Sequence, residues 1–258
     1  MSRNVYLAFG DSITAGQGAS QRTLGFVRQV DEFLRSRKWV DECAVVAQPG
    51  WTAKMLNQVA RTLPAALWDD ARVVTLCIGS ADFSRLLRPR RLSLNGNPFP
   101  PRTVLKKADE FGFYTDQLFR LIQEKAKAHV LVTTLYNPLP SFAPAGEFVA
   151  GMNSIITDLA QYYGFSLLQL DREFAHNEAH LIDGYRTGNA LDLMTPLRKP
   201  ILPNNAGHRL IADLVCARLT HMFSKEKGKT KIRSKSRRPA PSPKNRPAGR
   251  KTNRVIGT

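Results

Sequence analysis

Ser12 is the residue with the clearest covalent chemistry on offer. It sits in Gly10-Asp11-Ser12-Ile13-Thr14, directly after the apolar run Val5-Tyr6-Leu7-Ala8-Phe9. A serine in a glycine-bearing turn at a strand end can present its hydroxyl to a crevice, and a following helical N-terminus can supply backbone N–H groups there. Gly-Asp-Ser alone is a weak signal, because turns favour all three residue types. Three further segments add weight: Gln48-Pro49-Gly50-Trp51-Thr52, Gly79-Ser80-Ala81-Asp82 and Pro203-Asn204-Asn205-Ala206-Gly207-His208-Arg209. Asp11 is expected to tether its own turn through backbone N–H groups, and Ser80 and Asp82 to cap the segment they open. Lys54 reads as an ordinary exposed lysine, and Phe111, Phe113 and Tyr114 as core. Trp51 either lines a pocket or packs under its loop.

These segments need a scaffold that brings them to one place. Short apolar runs at Val5 to Phe9, Cys43 to Ala47, Arg72 to Ile78, His129 to Leu135 and Phe165 to Leu170 alternate with stretches of helical periodicity. Phe26, Val27, Val30, Phe33 and Leu34 recur at helical spacing after the first run, and Leu210, Ile211, Leu214, Val215 and Leu219 form a last helix. Near-continuous apolar strands separated by helices predict a five-stranded parallel sheet covered on both faces. In such a sheet, ligands sit outside the carboxyl ends of the strands, which is where the segments above emerge. Two irregular stretches, Arg85 to Pro101 and Asp183 to Pro203, emerge at the same end.

Composition bounds the rest. With 258 residues and 43% hydrophobic residues, the chain can bury one sizeable core, which excludes a wholly disordered protein. Its 38 Lys and Arg against 21 Asp and Glu give +17. Residues 224–258 hold seven Lys, six Arg and one acid, Glu226, a net of +12, so +5 is left for residues 1–223. That stretch has four prolines and few large apolar groups, and it reads as a disordered basic tail suited to non-specific polyanions, either nucleic acid or an anionic membrane surface. No aromatic is interleaved there to stack on bases. No run of about 18 apolar residues marks a membrane span. Cys43, Cys77 and Cys216 are scattered and odd in number, which predicts buried thiols and a cytoplasmic protein. His176 and His180 could share one helix face with Glu173 or Glu178 nearby, but no third ligand is evident and no metal or cofactor is expected.

On these blocks the chain resembles the SGNH, or GDSL, hydrolases, serine esterases, lipases and carbohydrate deacylases on a flavodoxin-like three-layer α/β/α sandwich. The resemblance spans about residues 5 to 222. It implies that Ser12 is the nucleophile and that the N–H groups of Ser12 and Gly50 are oxyanion donors. Leu135-Tyr136-Asn137-Pro138 is also similar to a loop of bacterial members. The departures are pointed: Ala81 stands where the family carries the oxyanion Asn, Lys199 where it carries the orienting Asp, and Leu202 where it carries the base His.

Loss of a triad nucleophile or base costs about 10⁶ in turnover, and loss of one oxyanion donor about 10² to 10³. The resemblance therefore implies a degenerate hydrolase that is inactive or very slow, binding a small acyl or acetylated carbohydrate ligand in the old crevice. One alternative is an active cytosolic esterase with a relocated base, for which His208 is the best placed histidine. His129 opens a strand at the end remote from the crevice, and His221 ends the last helix. Another is a module tethered to a polyanion by its tail. The oligomeric state is not legible.

Overall fold

Each of the five apolar runs forms a strand in the computed structural model, which describes residues 3–86, 101–193 and 200–236. The strands are β1 (Val5–Gly10), β2 (Glu42–Ala47), β3 (Ala71–Cys77), β4 (His129–Thr133) and β5 (Ser166–Leu168). They form one sheet in the order β2-β1-β3-β4-β5, with every neighbouring pair parallel. This is the doubly wound order whose switch point lies between β1 and β3. Gly10 pairs with Ala47 on one side and Cys77 on the other, so the three turns that follow β1, β2 and β3 leave the sheet side by side.

The strand residues divide by parity, as a two-sided sheet requires. Val5, Leu7 and Phe9 of β1 join Val74 and Leu76 of β3 in one apolar core. That core is closed by α2 (Ala53–Ala60), α3 (Ala65–Asp69), α4 (Ser80–Leu86), α5 (Pro101–Lys125) and α6 (Ala143–Tyr162). On the other face Tyr6 bonds Thr75 through their hydroxyls at 2.9 Å. There α1 (Phe26–Ser36) meets α9 (Asn205–Ser236) where the Phe26 ring stacks on His208. Short helices α7 (Leu170–Phe174) and α8 (Glu178–Leu181) follow β5. The layers are those of an α/β/α sandwich.

The chain divides into units Met1–Met222 and Phe223–Thr258. Within the second, the tail expected to be disordered from Ser224 begins as helix, since α9 runs to Ser236. Lys, Glu and Arg are good helix formers, and no proline intervenes before Pro239, so a helix already nucleated propagates. Residues 237–258, like the stretch at 87–100, lie outside the described residues. Phe113 is exposed rather than core, although Phe111 is buried. Of the thiols only Cys77 is fully buried, and all three cysteines are free. No helix among the described residues is long and apolar enough to cross a membrane.

Candidate functional site

The turn after β1 is held by a buried carboxylate. Asp11 Oδ1 accepts the Ile13 N–H at 3.1 Å, which shapes its own turn. Its Oδ2 accepts the Ser80 hydroxyl at 2.6 Å and the Ala81 N–H at 3.2 Å, which ties that turn to the start of α4. Burial raises the Asp11 pKa, and these bonds oppose the rise. The expected tethering role thus extends further than the turn. Ser80 neither caps α4 nor offers a spare donor, because its hydroxyl proton is given to Asp11. Gly10 permits this packing: a Cβ there would lie 2.0 Å from Thr14 Oγ1 and 2.4 Å from the Cys77 carbonyl oxygen.

Ser12 is half-buried, and its hydroxyl has no hydrogen-bond partner among the described residues. The Ser12 and Gly50 N–H groups likewise have no acceptor among them, the condition in which two backbone donors can serve a ligand oxygen. Gly50 adopts φ +81°, a left-handed conformation, and open space lies where its Cβ would be. Its turn is closed by the Trp51 N–H on the Gln48 carbonyl at 3.1 Å, and Thr52 caps α2 by accepting the Met55 N–H at 3.4 Å. Two residues of α4 fix this turn from outside. Asp82 Oδ2 accepts the Ala53 N–H at 3.0 Å, and Arg85 Nη2 donates to the Gly50 carbonyl at 3.1 Å. Burial pushes the Asp82 carboxyl up to about 7. Trp51 is half-buried and packs on the core; Lys54 is exposed, its ammonium 5.5 Å from the centre of the Tyr114 ring.

Leu202 lies in a segment pinned from two sides. Its carbonyl accepts the Asp183 N–H at 2.9 Å, and the Tyr136 hydroxyl donates to the Ile201 carbonyl at 2.6 Å. Leu202 and Pro203 lie against Gly18, so a Cβ at Gly18 would meet the Pro203 carbonyl at 2.2 Å and Leu202 Cβ at 2.9 Å. The segment thereby abuts the turn that carries Ser12. Between Ile13, Ser80, Tyr136 and Ile201 the enclosed space is apolar and amounts to about 10 Å³, scarcely room for one water. Ala81 is buried and contributes only a methyl group. Lys199 lies outside the described residues.

All five histidines are described, and none hydrogen-bonds the Ser12 hydroxyl. His208 is fully buried, its Nδ1 accepts the Phe26 N–H at 3.3 Å, and its Nε2 lies 2.9 Å from the Gln17 carbonyl. That pair fixes the Nε2–H tautomer, and burial lowers the ring's pKa. Its role is to join the turn at Gln17 to the start of α1. His129 is at the amino end of β4 and His221 is exposed on α9. His176 precedes α8 with φ +67°, so it shares no helix face with His180. Among the described residues no group of three or more His, Cys, Asp or Glu could hold a metal ion.

The GDSL-like lipase/acylhydrolase family model matches residues 8–210. Similar solved structures include a lipase, Lip_vut3, from a goat rumen metagenome, with TM-score 0.68 and 18% identity over 83% of this chain and 96% of that one. Phospholipase A1 from Streptomyces albidoflavus gives 0.60 and 17% over 83% and 99%. Acetylxylan esterase Axe2 from Geobacillus stearothermophilus gives 0.58 and 17% over 83% and 94%. No curated protein matches the sequence significantly.

Proposed function

The chain belongs to the GDSL-like lipase/acylhydrolase family, and from that premise we propose that it is a ligand-binding member whose ester hydrolysis is lost or very slow. One observation carries this reading: His208, the substitute base the sequence favoured, has both ring nitrogens engaged by backbone groups. Attack by Ser12 requires a group to take its proton, and Leu202 and Ala81 supply neither a base nor an amide donor. What remains is a crevice with the Ser12 hydroxyl and the N–H groups of Ser12 and Gly50, suited to the carbonyl of a small acyl or acetylated carbohydrate ligand.

The test is a panel of short-chain p-nitrophenyl esters. The full chain should hydrolyse them no faster than its Ser12→Ala variant, and a clear Ser12-dependent rate would overturn the reading. The triple substitution Leu202→His, Ala81→Asn and Lys199→Asp should then create Ser12-dependent turnover. A rise of about 10² or more is expected, a modest part of what base and donor losses remove elsewhere.

A further inference from the structure

A cleft of about 520 Å³ opens beside the Ser12 turn. Residues 14–17 form one wall, Arg22 and Arg28 another, and Val45, Ala47 and Pro49 at the carboxyl end of β2 a third. Its volume falls in the range of small-molecule sites. Arg22 and Arg28 are both exposed, and neither side chain has an ion pair or hydrogen bond among the described residues. No carboxylate lines the cleft among those residues.

A second cleft, between α2, α4 and α5, shows the contrast. Its cations are already engaged: Lys54 over Tyr114, Lys107 with Glu110, and Arg85 on the Gly50 carbonyl. It also contains two carboxyls, Asp82 and Glu110. The first cleft is therefore the one with uncompensated positive charge.

Its walls are partly apolar and held in place. Val45 is 41% exposed although it lies within a strand. The buried His208 ring joins Gln17 in one wall to Phe26 at the start of α1, and Gly16 and Gly25 pack so closely that a Cβ on Gly25 would meet Gly16 Cα at 3.1 Å. A rigid concavity with two free guanidinium groups above hydrocarbon is suited to an anionic group on an apolar stem, because guanidinium forks match carboxylate and phosphate oxygens. Pro49 adjoins Gly50 and Thr14 follows Ser12 by two residues, so the cleft borders the crevice.

We propose that this cleft binds the phosphate or carboxylate end of an amphiphilic ligand, and that the crevice's acyl ligand is accordingly an anionic one. The second half rests on the crevice reading above, whereas the anion site stands or falls by itself.

The experiment is calorimetric titration of the full chain with hexyl phosphate, hexanoate and inorganic phosphate at about 150 mM salt, where long-range attraction is screened. Hexyl phosphate or hexanoate should bind, and the stronger of the two identifies the anion. Arg22→Gln with Arg28→Gln should weaken that binding about tenfold or more, since charge-assisted hydrogen bonds are lost, while leaving the melting temperature unchanged. The basic tail is intact in both proteins, so the difference reports the cleft. No binding of either amphiphile, equal binding by the double variant, or inorganic phosphate matching hexyl phosphate would each overturn the proposal. Neither amphiphile is a carboxylic ester, so Ser12-dependent hydrolysis would sink the crevice reading and leave this result unmoved.

Discussion

Asp82 shows how a single side chain couples the site to pH. Burial pushes its carboxyl from 3.8 up to about 7, with the Asp11 charge adding to the rise and the Ala53 N–H and Arg85 opposing it. Between those values the unfolded chain has released this proton while the folded chain keeps it, so stability falls as pH rises through the window and is flat above it. Asp82→Asn removes that dependence and retains an acceptor for the Ala53 N–H. Relative to wild type, the variant should gain up to about 4 kcal/mol between about pH 4 and about pH 7, read by urea unfolding at a series of pH values. A constant difference across that range would show that burial does not hold the proton. The turns that carry Ser12 and Gly50 were legible because each directly follows an apolar strand. The bonds from Asp82 to Ala53, from Arg85 to Gly50 and from His208 to Gln17 were not, since each joins residues 29 or more apart through a side chain and a backbone group. Local spacing encodes turns, whereas these partners meet only after the sheet has formed.

At the scale of elements, two glycines test what the turns need. Gly10 and Gly50 both border the crevice, but for different reasons: Gly10 has backbone and side-chain atoms where its Cβ would go, and Gly50 has only its φ of +81°. Gly50→Ala should cost about 1–2 kcal/mol, the price of left-handed backbone for an L-residue, with the fold intact. Gly10→Ala must push Thr14 and the end of β3 away, and should cost about 4 kcal/mol or more. Thermal unfolding of the two variants checks the order, and equal losses would mean that the neighbours of Gly10 give way at no greater cost than left-handed backbone at Gly50. The five strands themselves were legible from apolar runs of the right length, and their parallel order from the helices between them. That α9 continues past Ser224 was not legible, because composition reports on burial, whereas a helix already nucleated propagates through good helix formers.

At the scale of the whole molecule, charge and crevice separate. Residues 224–258 carry +12 of the +17. Polyanion binding by such a segment is driven by counterion release, and it is indifferent to whether its lysines lie on helix or coil. If about six of its cations meet phosphates, the logarithm of the affinity for duplex DNA should fall with the logarithm of salt at a slope near −5. Without interleaved aromatics, single strands should gain nothing from stacking. Removing residues 224–258 should abolish the binding, because the remaining +5 is spread over 223 residues. Equal binding by the shortened chain would instead put the polyanion surface on the folded unit, with Arg22 and Arg28 the first residues to test. Phosphatidylserine vesicles should behave as DNA does, since the attraction is to charge density and not to bases. The same deletion should leave hexyl phosphate binding unchanged, which separates a small-anion site built by the fold from a tail that acts through charge alone.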